Sequence, residues 1–381
     1  MTGATIVGAG LSGAVIARTL AEAGLAVTVH DTRDHVAGNC HTQRDGETGV
    51  LVHKHGPHIF HTDDSEVWDH VRRFARFRPY RHSVRVVAQG RVYALPVNLH
   101  TINQFFDATF SPDEARAHLA ALADTGAMPP ANFEEQGLTL LGRALYEAFF
   151  KGYTAKQWGR DPRDLPASLL RRLPVRFTYD DNYFFHRFQG MPEQGYTPMV
   201  QAMLDHPLID LRLGATFEPG TGHDGHLFWS GALDGFFGAR LGRLAYRTLD
   251  FTERRARGTI QGCAVMNYAD ADVPHTRISE HKFFAPWENH AGTIAHVETS
   301  RDCGPLDTPY YPVRLAAEEA LLARYVSLAE GQPGVTFVGR LGTYRYLDMD
   351  VTIREALDTA RTYLTRLGQG AAMPAFVHRP L

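Results

Sequence analysis

Apolar residues near the N-terminus are spaced first as in a strand, then as in a helix, and then as in a strand again. Residues 4–7 form a short apolar run, residues 11–23 carry apolar side chains at helical spacing before Gly24, and residues 26–30 form a β-branched run. This order predicts a strand–turn–helix–strand unit, the usual start of a parallel α/β sheet.

The pattern changes to helical periodicity between residues 63 and 160. Three predicted helix starts share a polar capping residue followed three positions later by glutamate: Asp63 with Glu66, Ser111 with Glu114, and Asn132 with Glu135. We expect the second of these helices to end at Gly126 and the third, which has an apolar face, to end at Gly152. Residues 100–160 are therefore predicted to be a helical insertion.

Alternation of apolar and polar residues takes over in two other parts of the chain. Residues 83–95 alternate around Gln89-Gly90 and predict a hairpin, and further alternating segments between residues 249 and 300 predict an antiparallel sheet. A last apolar run at 335–338 precedes a helix that we expect to start near Val351, with Asp350 as its cap.

Composition and charge argue against some partners. The 381 residues include 39 basic and 42 acidic side chains, so the net charge of -3 gives no overall attraction to nucleic acid or to a membrane surface. Three scattered cysteines cannot form a disulfide framework or a metal-binding pair, which fits a reducing compartment. Without a signal-peptide pattern or an apolar run of about 20 residues, the sequence predicts a soluble cytoplasmic protein.

The first turn carries the chemistry of a dinucleotide site. Gly8, Gly10 and Gly13 form GxGxxG between the predicted strand and helix, and Asp31 follows the second strand, 23 positions after Gly8. A pyrophosphate must approach bare backbone N–H groups at a helix N-terminus, and the acid suits a ribose hydroxyl. A structural glycine turn is the alternative, but the strand, helix and acid in register favour the nucleotide.

FAD is favoured over NAD by features beyond this unit. Gly38 and Asn39 form a second glycine turn after the second strand, and the C-terminal helix would direct its positive N-terminus at a negatively charged flavin.

The predicted fold is α/β with α+β elements: a Rossmann-like FAD-binding domain with an inserted helical bundle domain and an antiparallel β-sheet domain. The predicted limits are 1–80, 191–245 and 330–381 for the FAD-binding domain, 100–175 for the helical domain with a mobile substrate lid at about 160–177, and 81–99, 176–190 and 246–329 for the sheet domain.

Four histidines, His53, His55, His58 and His61, lie close together in the sequence. The intervening glycine and proline prevent a regular helix, and no HExxH motif or nearby carboxylate at metal spacing accompanies them. A flavin-facing loop is therefore favoured over a metal site, with structural packing as the other alternative.

Aromatic and basic residues crowd the segment KGYTAKQWGRDPRDLPASLLRRLPVRF at 151–177. The short helix between its prolines could close as a unit and bring Arg171, Arg172 and Arg176 to a phosphate, although a solvated basic helix face is an equal alternative. Further tyrosines and arginines that suit a nucleotide diphosphate are Tyr183, Arg277, Tyr310 and Tyr311.

At these same residues the sequence resembles the bacterial UDP-galactopyranose mutases along essentially the whole chain. The matching motifs, in family order, are GAGLSGA, HKHGPHIFHT, KGYTAKQWGRDPRDLP, PVRFTYDDNYF, QGMPEQGYT, TRISEHK, PYYPV and GRLGTYRYLDMD. The resemblance implies a homodimeric isomerase of cell-wall or cell-surface polysaccharide synthesis that interconverts UDP-galactopyranose and UDP-galactofuranose. It also implies that FAD, reduced by a cellular reductant, attacks the anomeric carbon through N5, so that UDP leaves, an iminium forms, the ring contracts and UDP returns.

The resemblance further assigns roles to residues of this chain, none of them as a metal ligand. Arg172, Arg277 and His61 are implied to be catalytic. The implied substrate-binding residues are Phe149, Phe150, Tyr153, Thr154, Trp158, Arg172, Tyr183, Arg247, Asn267, Arg277, Glu298, Tyr311, Tyr346 and His82. The implied cofactor-binding residues are Gly8, Gly10, Leu11, Ser12, Gly13, Asp31, Arg33, Gly38, Asn39, His58, Ile59, Arg340, Tyr346, Asp348 and Met349.

Three positions depart from the family pattern. Ala37 stands where a glycine is expected and Pro57 where alanine is expected, and both changes should be neutral for the backbone. His82 replaces an expected asparagine, and we expect its titratable ring to approach the substrate and to change the pH dependence of binding.

Two other functions stay open. A flavin amine-oxidase-like oxidoreductase shares this type of nucleotide domain and would use its substrate as a hydride donor. A non-catalytic flavin-dependent module would bind UDP and leave the sugar unchanged. The crowding of aromatic residues and arginines favours the mutase over both.

Overall fold

The structure is a computed structural model that describes residues 3–124, 126, 129–172, 175–223 and 225–381, with the side chains of Arg171, Arg172 and Ala316 left out. The strands are β1 (Ala4–Val7), β2 (Val27–His30), β3 (Thr42–Arg44), β4 (Leu51–His53), β5 (Phe60–Thr62), β6 (Phe77–Pro79), β7 (Val84–Ala88), β8 (Arg91–Leu95), β9 (Phe188–Pro192), β10 (Ile209–Arg212), β11 (His226–Trp229), β12 (Tyr246–Arg257), β13 (Val265–Tyr268), β14 (Arg277–Glu280), β15 (Gly292–Asp302), β16 (Tyr311–Pro312) and β17 (Val335–Phe337).

The structure also contains eleven α-helices within the described residues. They are α1 (Leu11–Glu22), α2 (Ser65–Arg72), α3 (Leu99–Phe106), α4 (Pro112–Leu122), α5 (Phe133–Tyr146), α6 (Gly152–Trp158), α7 (Tyr196–Leu204), α8 (Leu233–Phe236), α9 (Ala316–Glu330), α10 (Gly339–Gly342) and α11 (Met349–Gly368). A π-helical turn, Glu147–Lys151, joins α5 to α6, and 3-10 helices occur at Gly38–Cys40, Pro162–Asp164, Ala167–Arg172 and His281–Phe284.

Five parallel strands form the first sheet, in the order β10-β2-β1-β11-β17. The predicted N-terminal strand–turn–helix–strand unit is confirmed, because β1 pairs with β2 and the largely buried α1 lies between them in the chain. β10 and β11 come from the middle of the sequence and β17 from its end, so the sheet draws on three separate parts of the chain. The domain limits themselves stay a prediction.

Seven strands form the second sheet, in the order β16-β12-β15-β14-β13-β7-β8. The predicted hairpin is confirmed as β7 and β8, joined by Gln89 and Gly90, whose positive φ angles suit a tight hairpin turn. The sheet is not wholly antiparallel as predicted, since β13 runs parallel to β7. The hairpin and β13 are distant in sequence, so no short turn forces them to be antiparallel.

The helix caps follow the sequence signals with one correction. α4 and α5 start at their predicted caps, Ser111 and Asn132. The cap of α2 is Asp64 rather than Asp63, because the Asp64 carboxylate accepts from the N–H groups of Glu66 and Val67 in the first turn of the helix. Asp63 instead accepts from the N–H of Arg187 at 2.6 Å. Two adjacent aspartates offer the same cap, and this tertiary contact occupies one of them.

Two predicted helix ends are wrong. α4 ends at Leu122, before Gly126. The chain stays helical through the π-helical turn, past Gly152 and along α6 as far as Trp158. Gly152 serves close packing instead, since a Cβ at this position would lie only 2.4 Å from the carbonyl oxygen of Ala269.

Candidate active site

The first glycine turn forms one end of a cavity of about 1200 Å³ beside the carboxyl ends of β1, β2 and β11. Gly8 has φ +106°, and a Cβ there would lie 2.0 Å from Ser230 Oγ. A Cβ on Gly13 would lie 1.9 Å from the carbonyl oxygen of Gly8, so this glycine permits α1 to approach β1. Gly13 does not itself line the cavity, unlike the other predicted cofactor residues.

Asp31 and Arg33 define the nucleotide end of this cavity. The Asp31 carboxylate accepts from the N–H of Ala9 at 2.7 Å and from the N–H of Arg33 at 2.9 Å. Arg33 Nη2 donates to Asn39 Oδ1 at 2.9 Å, whereas the buried Nη1 has no hydrogen-bond partner within the described residues. A buried donor without a partner costs free energy, so we expect Nη1 of Arg33 to donate to an acceptor in the cavity.

Arg340 and α11 provide positive charge at the other end. Nε and Nη2 of Arg340 are buried without hydrogen-bond partners among the described residues, and the guanidinium lies 4.4 Å from the centroid of the Tyr346 ring. α11 begins at Met349, two residues earlier than predicted, with Asp348 rather than Asp350 at its N-cap. The Asp348 side chain does not cap the helix, and of the first N–H groups that of Val351 donates to Asp350 Oδ1 at 2.8 Å.

These features fit the predicted FAD. The cavity is long, has unpartnered guanidinium donors at both ends, and is bordered by two helix N-termini and bare glycine backbone. The predicted cofactor residues that line it are Gly8, Gly10, Leu11, Ser12, Asp31, Arg33, Gly38, Asn39, His58, Ile59, Arg340, Tyr346, Asp348 and Met349.

A second cavity, of about 910 Å³, lies between the helical insertion and the second sheet. α6 and the π-helical turn before it supply one wall, and β13, β14 and β16 supply another. The predicted substrate residues that line it are Phe149, Phe150, Tyr153, Thr154, Trp158, Tyr183, Asn267, Arg277, Tyr311 and Tyr346. Its aromatic and aliphatic lining, with a few polar groups, suits a base and its ribose.

The two cavities meet. The residues that line both are Tyr153, Tyr183, Asn267, Arg277, Tyr311, Tyr346 and Leu347. We call this set the junction. Two predicted substrate residues, Glu298 and His82, line only the larger cavity. A ligand that extends from the smaller cavity therefore reaches the flavin end of the larger one through a ring of phenols and one guanidinium.

Arg277 and Glu298 form a buried ion pair beside the junction. Arg277 Nε lies 3.0 Å from Glu298 Oε1, although its N–H is poorly aligned with the carboxylate for a hydrogen bond. Burial raises the pKa of Glu298, and the charge of Arg277 opposes that rise. Burial would lower the pKa of Arg277, but the carboxylate of Glu298 and the surrounding phenols hold it well above its usual range. The guanidinium is therefore a fixed cation in the junction.

Three of the junction phenols are held in their protonated form. Burial raises the pKa of Tyr153 and Tyr311, and it raises the pKa of Tyr183 to about 12. Protonated phenols donate hydrogen bonds, so near neutral pH these side chains can bind phosphate or sugar oxygens and do not act as bases.

Two histidines depart from simple expectation. His61 Nδ1 lies 2.7 Å from Nδ1 of His186, so one ring must donate and the other accept, and Phe184 stacks on His61 at 3.7 Å. His82 is buried among aromatic rings with Nδ1 3.4 Å from the hydroxyl of Tyr80. Burial and then the charge of Arg277 lower the pKa of His82 to about 3. Contrary to our prediction, its ring therefore does not titrate near neutral pH.

Of two further predicted arginines, Arg247 does not reach the junction, and the side chain of Arg172 is not described. Arg247 lines neither cavity; it is 3% exposed, pairs with Asp302, and donates from Nε to the carbonyl oxygen of Gln157 at 3.1 Å. The side chain of Arg172 lies outside the described residues, as do residues 173 and 174 of the predicted lid. The direct role of Arg247 is therefore unsupported, while that of Arg172 stays a prediction.

Several lining residues were not singled out from the sequence. Gln157, Ser168 and Arg345 line the smaller cavity, and Phe184 and His186 line the larger one. Phe184 and His186 lie in the aromatic segment after Tyr183, where a search for aromatic side chains near the arginines could have found them. The others carry no local signal, because their position depends on tertiary packing.

The histidine-rich loop lies beside the cofactor cavity. His55 and His58 line it, and His53 packs beneath it against His281. Among the described residues, no group of three or more histidine, cysteine or acidic side chains is arranged to hold a metal ion. The same residues include no helix with the length and apolar character needed to cross a membrane.

Comparisons with known proteins bear on this site. A family model described as UDP-galactopyranose mutase matches residues 148–346, and one described as an NAD(P)-binding Rossmann-like domain matches residues 6–74. The chain is 56% identical over 372 residues to a probable UDP-galactopyranose mutase of Klebsiella pneumoniae, with 97% of both chains covered. It is 49% identical over 367 residues to a dTDP-fucopyranose mutase of Escherichia coli, covering 94% of this chain and 97% of that protein.

Solved structures share the fold. A crystal structure of a reduced UDP-galactopyranose mutase matches with a TM-score of 0.75 and 15% identity, covering 96% of each chain. A putrescine oxidase bound to putrescine matches with a TM-score of 0.58 and 13% identity, covering 96% of this chain and 99% of that one. At such identities the likeness is one of fold alone, which mutase and amine oxidase share.

Proposed function

Because this chain belongs to the UDP-galactopyranose mutase family, whose members are flavoenzymes, we propose that it interconverts UDP-galactopyranose and UDP-galactofuranose with no net redox change. The observation that carries the proposal is the junction of the two cavities. A nucleotide sugar with its base in the smaller cavity would present its diphosphate to Arg277 and its sugar to the larger cavity. That arrangement brings the anomeric carbon against the site that fits FAD.

When bound and reduced, FAD would supply a nucleophilic ring nitrogen for the anomeric carbon. Arg277 binds the diphosphate and stabilises the negative charge that grows on it as the glycosidic bond breaks. The protonated Tyr153, Tyr183 and Tyr311 donate hydrogen bonds that orient the phosphate and sugar oxygens. Arg172 and His61 complete the proposed catalytic set, Arg172 as a second cation delivered by the lid.

The identity of the nucleotide sugar is the sharper part of the proposal. The relative named dTDP-fucopyranose mutase is nearly as similar as the first mutase relative, so dTDP-fucopyranose is the competing substrate. The amine-oxidase-like alternative has only a shared fold in its favour. A cytoplasmic location, a cellular flavin reductant, a homodimer and a part in cell-surface polysaccharide synthesis belong to the same proposal and rest on sequence and resemblance.

The test uses the purified yellow holoenzyme under anaerobic conditions. UDP-galactofuranose is incubated with and without dithionite, and the sugar nucleotides are separated by chromatography, with dTDP-fucopyranose run in parallel. Conversion to UDP-galactopyranose only after reduction is the expected result. Turnover of only the thymidine nucleotide would reassign the substrate, and flavin reduction by the substrate itself would favour an oxidoreductase.

A further inference from the structure

The ammonium group of Lys156 is enclosed by main-chain carbonyl oxygens. Nζ donates to the carbonyl oxygens of Tyr268 at 2.8 Å, Asp270 at 2.7 Å, Val273 at 2.9 Å and His275 at 3.1 Å. These four carbonyls belong to one loop, residues 269–276 with the last residue of β13, which we call the 269–276 loop. The contact holds this loop on α6.

Such an arrangement differs from an ordinary surface lysine. An ammonium has three N–H donors and here meets four acceptors, so carbonyl dipoles replace its hydration shell. Burial lowers the pKa of Lys156, and the nearby carboxylates of Asp270 and Asp272 oppose that shift. The Asp270 carboxylate itself accepts from the N–H of Gln89 in the β7–β8 turn, at 3.0 and 3.1 Å.

The 269–276 loop connects two junction residues. Asn267 lies just before it on β13, and Arg277, the first residue of β14, follows it directly. On the other side, α6 carries Tyr153 and Trp158, which line the smaller cavity. The Lys156 ammonium therefore ties the wall that bears the arginine to the wall that bears the aromatic side chains.

Gly152 acts at the same contact, one helical turn before Lys156. A Cβ at Gly152 would lie 2.4 Å from the carbonyl oxygen of Ala269 and 3.1 Å from the backbone nitrogen of Ala271. The glycine brings α6 against the loop, and the lysine holds it there. Neither residue lines a cavity, so neither can contact a ligand directly.

We propose that Lys156 is a positioning residue that holds the 269–276 loop, and with it Asn267 and Arg277, in the geometry that binds the nucleoside diphosphate. The proposal rests on the proposed function for the identity of the ligand. Loss of the ammonium removes the donor that the four carbonyls share, so the loop withdraws from α6 and the arginine moves with it. A small cation that carries N–H donors can then replace the missing group.

The experiment compares Lys156→Ala with wild type as holoenzymes. Calorimetry gives the Kd for UDP, and kinetics give kcat and KM for the nucleotide sugar that wild type converts. We expect the UDP Kd and the KM to rise at least about tenfold at unchanged flavin content, and about 0.1 M ammonium or methylammonium to restore most of the loss. Tetramethylammonium at equal ionic strength has no N–H donor and should restore nothing.

Two further variants complete the test. Lys151→Ala removes an exposed lysine of the neighbouring helical turn and should bind UDP like wild type. Gly152→Ala forces the loop off α6 while the ammonium stays, so its loss of UDP affinity should not respond to ammonium. If Lys156→Ala does not fold with flavin, Lys156→Arg carries the test, because a planar guanidinium cannot fill the same carbonyl cage.

An unchanged UDP Kd in Lys156→Ala, or in Lys156→Arg where alanine fails to fold, would overturn the proposal. In Lys156→Ala, a loss that tetramethylammonium also reverses, or that no cation reverses, would overturn it as well. Wild type that binds UDP without converting the sugar would count against the mutase alone, since the Kd comparison does not depend on turnover.

Discussion

Arg277→Met should destabilise the protein in a way that depends on pH. The carboxylate of Glu298 is 2% exposed and its charge partner is the Arg277 guanidinium, 3.0 Å away. Breaking a buried ion pair by removing one partner typically costs about 3 to 5 kcal/mol. Because the Arg277 side chain is 23% exposed, solvent screens part of the interaction, and we expect a loss near the lower end, about 3 kcal/mol at pH 7.

The pH dependence follows from the pKa of Glu298. Burial already raises that pKa above its usual 4.5, and without Arg277 it rises further. A carboxyl group with a raised pKa in the folded state contributes stability below the pKa of the unfolded chain, and this contribution is lost as pH rises through the folded-state pKa. The variant should therefore be closest to wild type near pH 4.5 and lose up to about 1.4 kcal/mol per pH unit above it.

Urea unfolding at pH 5, 6, 7 and 8, followed by tryptophan fluorescence, measures the effect. Adding Glu298→Gln to Arg277→Met should remove the pH slope and recover most of the stability, while turnover stays lost because the diphosphate no longer meets the Arg277 cation in the junction. Stability of Arg277→Met within about 1 kcal/mol of wild type at pH 7, or the absence of a steeper pH slope, would refute this account of the ion pair.

Other substitutions test separate parts of the structure. Gly8→Ala should abolish flavin binding, because its Cβ would lie 2.0 Å from Ser230 Oγ at a positive φ, whereas Gly46→Ala, which meets nothing within 4 Å, should retain the yellow colour. Asp64→Ala should lower the unfolding free energy by about 1 to 2 kcal/mol in urea titrations, more than Asp63→Ala does, because Asp64 caps α2 and pairs with Arg354. His82→Asn should change KM by the same factor at pH 6 and pH 8, because the pKa of His82 is lowered to about 3; a factor that varies with pH would show that the ring titrates there.

Local signals predicted the elements that depend on neighbouring residues. The first strand–turn–helix unit, the β7–β8 hairpin and the caps at Ser111 and Asn132 each rest on side chains within a few positions of one another. The failures involve distant contacts. Gly152 looked like a helix end but serves packing against Ala269, more than a hundred residues away.

The predictions for the site divide in the same way, between those that depend on neighbouring residues and those that depend on distant contacts. Most of the residues predicted from motif resemblance line the two cavities, because each motif places its side chains on one strand end or helix face. Arg247 lines neither cavity, and nothing near it in sequence indicates that its guanidinium contacts Asp302 and the carbonyl oxygen of Gln157. The low pKa of His82 likewise depends on burial among rings from several segments, which no single stretch of sequence reveals.

The order of the first sheet bears on how the protein is made. β17 is an edge strand and α11 borders the cofactor cavity, yet both are synthesised after the other four strands of the sheet. Until they arrive, the nascent chain holds the glycine turn but only part of the cavity, and β11 presents an unpaired edge that invites aggregation. We therefore expect the cofactor to be captured only after β17 and α11 have been synthesised, and the cellular supply of flavin to govern how much of the newly synthesised chain survives proteolysis.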